Sequence, residues 1–242
     1  MPSEPPPEAM PGALDGKVAL LTGGTSGIGN AIATGLARQG ATVSLLARDP
    51  GRAQAAIARI RLVAPGAAIE VIHADFTSQS SVRQAAADFG ALHARLNILV
   101  CCAGVFHKTR SETEDGIEAT FAVNYLSHFL LSNLLAEALK RGAPSRVVFV
   151  ASKYGNTRID FDDLMVKRRK FTTMNSVPPT KLAEVLLAQE LSERWASSGV
   201  VVNAVHPGLV AHTHLLLEVG GFWRWITDTF GGTPERGADT AI

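Results

Sequence analysis

The sequence has few cysteines, almost no net charge and no long apolar run. Its 242 residues include two cysteines, Cys101 and Cys102, and adjacent cysteines are poorly placed for a structural disulfide. We expect them to be buried free thiols in a reducing compartment. The formal charge of +1 argues against a nucleic-acid-binding surface and against an acidic tail. The composition therefore favours a protein that acts on small molecules.

We expect neither a membrane span nor a signal peptide in this sequence. No apolar stretch approaches the roughly 20 residues that a membrane span needs, and the N-terminus lacks the basic-then-apolar order of a signal peptide. Residues 1–14 are rich in proline and acidic residues, and we predict a disordered leader there. We expect a cytoplasmic protein whose one domain covers residues 15–242.

Six short apolar runs alternate with segments of helical periodicity. This alternation predicts parallel strands joined by helices. Because the runs are almost continuously apolar, the strands should be buried on both sides, as in a doubly wound α/β sheet of Rossmann type. Ligands of such sheets bind at the carboxyl ends of the strands. The runs are KVALLTGG, ATVSLLAR, AIEVIHADF, LNILVCCAG, SRVVFVAS and GVVVNAVHPG.

The first run leads into a glycine-rich turn, TGGTSGIG, at a strand-to-helix junction. Glycine permits a tight turn, lets backbone N–H groups approach a pyrophosphate, and lets the helix pack close to the strand. The pattern follows a predicted strand and opens a predicted helix, which is the context that dinucleotide binding requires. The candidate cofactor residues here are Gly23, Thr25, Ser26, Gly27, Ile28 and Gly29.

The end of the second run carries Arg48 where an NAD-binding protein would place a ribose-reading carboxylate. A guanidinium suits a 2′-phosphate and can stack on adenine, so the sequence favours NADP(H). A solvated loop arginine is the alternative. Asp75, after the third run, could accept a hydrogen bond from the adenine amino group or could simply cap a turn.

Taken together, seven motifs resemble the short-chain dehydrogenase/reductase family from about residue 15 to the end of the chain. FAVNYLSHFLL with IDFDDL is most similar to the retinol-dehydrogenase-like branch. The resemblance implies that Ala103 and Gly104 in CCAG, and Pro207 and Gly208 in HPG, lie beside the cofactor. The motifs are TGGTSGIG, HAD, CCAG, FAVNYLSHFLL, VVFVAS, TKLAEVLLAQEL and NAVHPG.

The resemblance also implies catalytic roles for Asn124, Ser152 and Lys181. Asn124 would hold a water and orient the lysine through a backbone kink, Ser152 would hydrogen-bond the substrate oxygen, and Lys181 would contact the nicotinamide ribose. Each also has an ordinary alternative, as a helix residue, a strand cap and a solvated helix charge. The family's tyrosine should precede the lysine by four residues, and Val177 stands there.

Valine cannot transfer a proton, so the family's acid–base step is interrupted. The chain has two tyrosines, Tyr125 and Tyr154, and neither lies in this segment. Three interpretations stay open: another group such as Tyr154 delivers the proton; the protein keeps NADP(H) but catalyses a non-redox cyclisation or rearrangement; or it is a cofactor-binding scaffold. Because of Pro178 and the proline after it, we expect the helix to begin immediately after Val177.

The substrate side is predicted from the segment on the C-terminal side of HPG. The resemblance puts a substrate loop there, and an aromatic lid over a lipophilic substrate or a plain amphipathic helix both fit its sequence. We predict no metal site and no nucleic-acid partner, and expect a homodimer or homotetramer. The resemblance implies a seventh strand after TPERGADTAI, and a shortened C-terminus and an unusual sheet edge both stay open as interpretations. Candidate pocket residues are Val177, His212, Phe222 and Trp223.

Overall fold

The computed structural model describes residues 12–152, 157–208 and 233–238. Its core is a six-stranded, fully parallel sheet with the strand order β3-β2-β1-β4-β5-β6. The six runs identified in the sequence form these strands, which confirms the doubly wound α/β prediction. The strands are β1 (Val18–Thr22), β2 (Thr42–Ala47), β3 (Ile69–His73), β4 (Ile98–Cys101), β5 (Ser145–Val150) and β6 (Val200–Val205).

Helices connect successive strands and cover both faces of the sheet. A π-helical turn at Ala122–Leu126 interrupts the segment between β4 and β5. The helices are α1 (Gly27–Arg38), α2 (Pro50–Val63), α3 (Gln79–Leu92), α4 (Ala119–Phe121), α5 (Ser127–Leu134), α6 (Ala136–Arg141), α7 (Thr173–Arg194) and α8 (Pro234–Ala238). None of these helices combines the length and apolarity that crossing a membrane demands.

Two apolar cores lie on opposite faces of the sheet because side chains alternate along each strand. Leu20 of β1 packs with Phe89 of α3 and Leu131 of α5. The next residue, Leu21, belongs to the other core with Ile32 of α1 and Ile60 of α2. Burial on both sides explains why the strand sequences are nearly all apolar rather than alternating.

The strand order reverses between β1 and β4, and this reversal positions the site. In the register, Thr22 at the end of β1 lies beside Leu46 of β2 and Cys101 of β4. Chains leave β1 and β4 towards opposite faces, which opens a crevice at the carboxyl ends of these strands. The glycine turn follows β1 and the CCAG segment follows β4, so both meet at this crevice.

The predicted start of α7 is wrong, since the helix begins at Thr173 and contains Pro178 and Pro179. A capping box sets the start: Asn175 N donates to Thr172 Oγ1 (3.2 Å), and Thr172 N donates to Asn175 Oδ1 (2.8 Å). This box satisfies orphan N–H groups at the helix end. The reciprocal hydrogen bonds thus outweigh the preference of a residue before proline for extended torsions.

Candidate active site

The glycine turn has the geometry of a phosphate cradle. A Cβ on Gly29 would stand 2.2 Å from Gly23 O, so α1 packs against the turn as only glycine allows. Gly23 has a φ of +70° and Gly27 a φ of +51°, in the left-handed region that favours glycine. The side chain of Ser26, the N-cap of α1, makes no capping hydrogen bond. The first N–H groups of α1 therefore remain available to an anion.

Arg59 stabilises this turn, and its role was not predicted from the sequence. From α2 its guanidinium donates to Thr25 O (2.8 Å) and to Asn30 Oδ1 (3.3 Å). Asn30 in turn donates to Gly24 O (3.1 Å). Ile28 is partly buried and packs on the core below the turn. The loop thus keeps its shape through side chains from two helices.

Arg48 and Asp75 come together at the ends of β2 and β3. Arg48 Nη1 lies 3.7 Å from Asp75 Oδ2, and the Arg48 side chain is 68% exposed. Burial raises the pKa of Asp75, but hydrogen bonds from Thr77 and the charge of Arg48 outweigh it, so this pKa lies below its ordinary value. A carboxylate and a guanidinium therefore face solvent together at one end of the crevice.

Asn124 lies in the π-helical turn and is completely buried. Its Oδ1 accepts from Val105 N (2.7 Å), and its Nδ2 donates to Val105 O (3.1 Å) and to Thr180 Oγ1 (3.4 Å). The side chain thus joins the segment after β4 to helix α7. π-helical turns often occur at functional sites, and the backbone kink that the resemblance implied at Asn124 stays a prediction.

Lys181 lies next to Asn124 across the backbone of Gly104. A Cβ on Gly104 would stand 3.5 Å from Asn124 Oδ1 and 4.0 Å from Lys181 Nζ. Lys181 is 6% exposed, and its Nζ donates to Val150 O (3.0 Å) and to Glu184 Oε2 (2.7 Å). Sequence reasoning missed Glu184, although its position three residues after Lys181 puts both side chains on one helix face.

Ser152 follows β5 and lies in the wall of a cavity of about 260 Å³. Most of this wall is apolar, and it includes Pro178, Leu182 and Val185 of α7. His206 closes one side, and the candidate residues Pro207 and Gly208 follow it at the end of the described range. A small apolar group could therefore lie within reach of the Ser152 region.

Val177 lies on α7 one helical turn before Lys181 and is fully buried. Its side chain does not line the cavity at Ser152. The four other candidates Tyr154, His212, Phe222 and Trp223 lie outside the described residues.

The two thiols of CCAG are poor nucleophiles. Burial raises the pKa of Cys102 to about 11 and raises the pKa of Cys101 well above its ordinary value. Both thiols are thus protonated at neutral pH. The backbone around them has a different task, because Ala103 N and Cys102 N both donate to Thr22 Oγ1.

The residues present fit a nicotinamide dinucleotide. Gly23 approaches the backbone so closely that a Cβ there would stand 2.8 Å from Ala103 N, and the uncapped start of α1 offers free N–H donors. Fold and site together define a dinucleotide-binding α/β protein of Rossmann type.

Comparison with known proteins carries the assignment further. The family described as short chain dehydrogenase matches residues 17–162. Retinol dehydrogenase 14 of Mus musculus is 38% identical over 248 residues, which cover 96% of this chain and 74% of that protein. Retinol dehydrogenase 13 of Homo sapiens is 42% identical, and the match covers 86% of this chain and 62% of that protein. The chain belongs to the short-chain dehydrogenase family.

Solved structures agree with this assignment. A short-chain dehydrogenase of Burkholderia cenocepacia in complex with NADP has a TM-score of 0.74 and 30% identity, covering 94% of this chain and 89% of that one. The Pseudomonas aeruginosa RhlG/NADP active-site complex has a TM-score of 0.73 and 27% identity, covering 94% and 88%. The chain therefore has the architecture of an enzyme of this family.

Proposed function

We propose that the protein is an NADP(H)-dependent oxidoreductase that acts on a carbonyl or alcohol group of a lipophilic small molecule, with altered proton delivery. The observation that carries the proposal is the grouping of Asn124 and Lys181 around Gly104, directly beside the glycine turn. A scaffold without chemistry would have no need of this buried polar group. The retinol dehydrogenases among its relatives support a lipophilic substrate, as does the apolar cavity at Ser152.

In this proposal each part of the site has a defined task. The glycine turn and the start of α1 hold the pyrophosphate, Arg48 recognises the 2′-phosphate, and Lys181 binds the ribose next to the nicotinamide. When bound, the cofactor supplies hydride transfer. Ser152 orients the substrate oxygen. Because Val177 offers no proton, the proton comes from another group, and Tyr154 is the candidate that the sequence provides.

A cytoplasmic location and assembly into a homodimer or homotetramer complete the proposal. Phe129 of α5 and Leu186 of α7 are 41% and 46% exposed, which supports pairing through these helices. Sedimentation equilibrium of the full chain measures the assembly directly.

The test of the function compares the native protein with Val177→Tyr and Val177→Phe. NADPH binding is followed by fluorescence and NADPH oxidation by absorbance, with a panel of lipophilic ketones and aldehydes. Val177→Phe adds similar bulk without a hydroxyl, so the difference between the two variants isolates the proton donor. We expect slow oxidation by the native protein and a rate about 10² to 10⁴ higher for Val177→Tyr than for Val177→Phe.

Other outcomes point to other functions. A native rate equal to that of Val177→Tyr would mean that proton delivery is fully relocated, and Tyr154→Phe would then test the donor. If NADPH binds but only Val177→Tyr oxidises it, the native reaction leaves the cofactor unchanged, as in a cyclisation or isomerisation. The valine at position 177, which has no proton to transfer, supports this second candidate. If the protein does not bind NADPH, both the redox reaction and the reaction that leaves the cofactor unchanged are excluded.

A further inference from the structure

A chain of four buried polar side chains runs from α7 through α5 to the end of β1. Glu184 Oε2 accepts from Lys181 Nζ (2.7 Å), and Glu184 Oε1 lies 2.9 Å from His128 Nδ1. His128 Nε2 lies 3.0 Å from Thr22 Oγ1. Thr22, His128 and Glu184 are all 0% exposed. A buried polar network of this kind stabilises a protein only when every polar group in it has a hydrogen-bond partner.

The hydrogen bonds fix where the protons lie. Thr22 Oγ1 already accepts from Cys102 N (2.8 Å) and Ala103 N (2.9 Å), so both acceptor positions of its oxygen are used. Its hydroxyl must therefore donate to His128 Nε2. That nitrogen carries no proton, and the ring proton is on Nδ1, which donates to Glu184. Glu184 thus accepts hydrogen bonds from both the His128 ring and the Lys181 ammonium.

This arrangement holds the Lys181 side chain in one position. Its ammonium donates one proton to Val150 O at the end of β5 and one to Glu184. The third proton has no partner among residues 12–152, 157–208 and 233–238. Because a Cβ on Gly104 would already stand 4.0 Å from Nζ, the absence of a side chain there leaves space for an oxygen atom of a ligand.

We propose that Glu184, oriented by His128 and Thr22, is a positioning residue that holds the Lys181 ammonium aimed at the ligand. The proposal rests on the function above, in which Lys181 contacts the cofactor. Lys181 carries the positive charge of this part of the site. Its charged partner among the described residues is Glu184. The carboxylate replaces the water that a buried ammonium has lost.

The test uses Glu184→Gln, with Glu190→Gln as the matched control on the exposed side of the same helix. Lys181 and His128 bond different oxygens of Glu184. In glutamine an NH2 donor replaces one of these acceptor oxygens and the negative charge is lost. We expect Glu184→Gln to weaken NADPH binding about 10- to 100-fold, as lost charge-assisted hydrogen bonds do. Glu184→Asp should recover part of the affinity and Glu190→Gln should bind as the native protein does. Equal NADPH affinity in the native protein and Glu184→Gln would overturn the proposal.

A second measurement needs no cofactor. ¹⁵N NMR of histidine-labelled protein, with the His128 signal assigned by its loss in His128→Asn, reports which ring nitrogen carries the proton. We expect the Nδ1–H tautomer in the native protein and an altered His128 signal in Glu184→Gln, with no change in Glu190→Gln. An Nε2–H tautomer would overturn the proposal. Absence of NADPH binding in every variant would count against the proposed function, while the tautomer would still test this network.

Discussion

Arg48 is the side chain on which the choice between the two nicotinamide dinucleotides depends. Its guanidinium is largely exposed and shares the end of the crevice with Asp75. The Asp75 carboxylate makes its other contacts with Thr77 N (2.9 Å) and Thr77 Oγ1 (2.7 Å). Because Thr77 fixes the carboxylate, Arg48 can move away from it to meet a phosphate.

We expect Arg48→Ala to raise the Kd for NADPH about 10-fold and to leave the Kd for NADH within about two-fold. The lost interaction is a charge-assisted hydrogen bond at an exposed site, so its contribution to the binding free energy is at the low end of the range for such bonds. Fluorescence titration with both cofactors measures the ratio, and Arg61→Ala on the exposed side of α2 is the control. An equal loss for both cofactors would show that Arg48 does not discriminate the 2′-phosphate.

At the scale of elements, the first turns of α7 are held together in an unusual way. Pro178 and Pro179 lack the N–H groups that would bond to the carbonyls of Met174 and Asn175. Other hydrogen bonds hold the first turn: Thr173 Oγ1 donates to His107 O (2.9 Å), and Thr172 and Asn175 form the capping box. The helix therefore lacks two backbone hydrogen bonds close to Val177.

Pro179→Ala should stabilise the protein, because it restores one helical hydrogen bond. Removing a proline from a helix interior increases the free energy of unfolding by about 3 kcal/mol. The greater conformational freedom of the unfolded chain reduces this increase by about 0.4–1 kcal/mol. We expect the melting temperature to rise by about 5 °C. Calorimetry measures it, with Pro65→Ala in an exposed loop as the control. A melting temperature that falls would mean that the proline ring packs better than the restored bond compensates.

The segment before α7 is also fixed by a single carboxylate. Asp163 is buried and accepts hydrogen bonds from the backbone N–H groups of Lys167, Arg168 and Arg169. Within this loop Val166 has a φ of +49°, a region that a β-branched residue rarely adopts. The carboxylate stabilises the loop in this strained conformation, and so defines where the polypeptide enters α7.

For the whole molecule, three carboxylates connect stability to pH. Burial raises the pKa of Glu70, but hydrogen bonds from His93 and Ser44 outweigh it, and the pKa lies below its ordinary value of 4.5. Asp75 and Asp163 have pKa values shifted downwards from 3.8 for similar reasons, against the effect of burial. A lowered pKa in the folded state stabilises above the ordinary pKa, and this stabilisation is lost as the pH falls through the lowered value.

We therefore expect the free energy of unfolding to change little through these groups between pH 7 and 5 and to fall below about pH 4.5. For Glu70 the loss should be about 0.5 kcal/mol, because solvent screens a partly exposed pair. Urea unfolding at several pH values measures it in the native protein and in Glu70→Gln. An identical pH dependence in both proteins would show that Glu70 contributes nothing.

The sequence predicted the sheet well because parallel strands that are buried on both faces have nearly continuous apolar sequences, as in the run around Leu20. It also identified the glycine turn, whose spacing is set by steric contact between Gly29 and Gly23. It did not predict His128 and Glu184, since their role depends on helices α5 and α7 meeting at Thr22. The start of α7 was misjudged because the prolines were weighed without the capping box at Thr172.

Thr22 gives the molecule one further property. Its hydroxyl belongs both to the strand that carries the glycine turn and to the hydrogen-bonded chain that ends at Lys181. Equilibrium coupling between two sites is reciprocal. If an ordered Lys181 raises the affinity of the turn for a dinucleotide by some factor, the bound dinucleotide favours the ordered position of Lys181 by the same factor. The two halves of the sheet would then respond to a ligand as one cooperative unit.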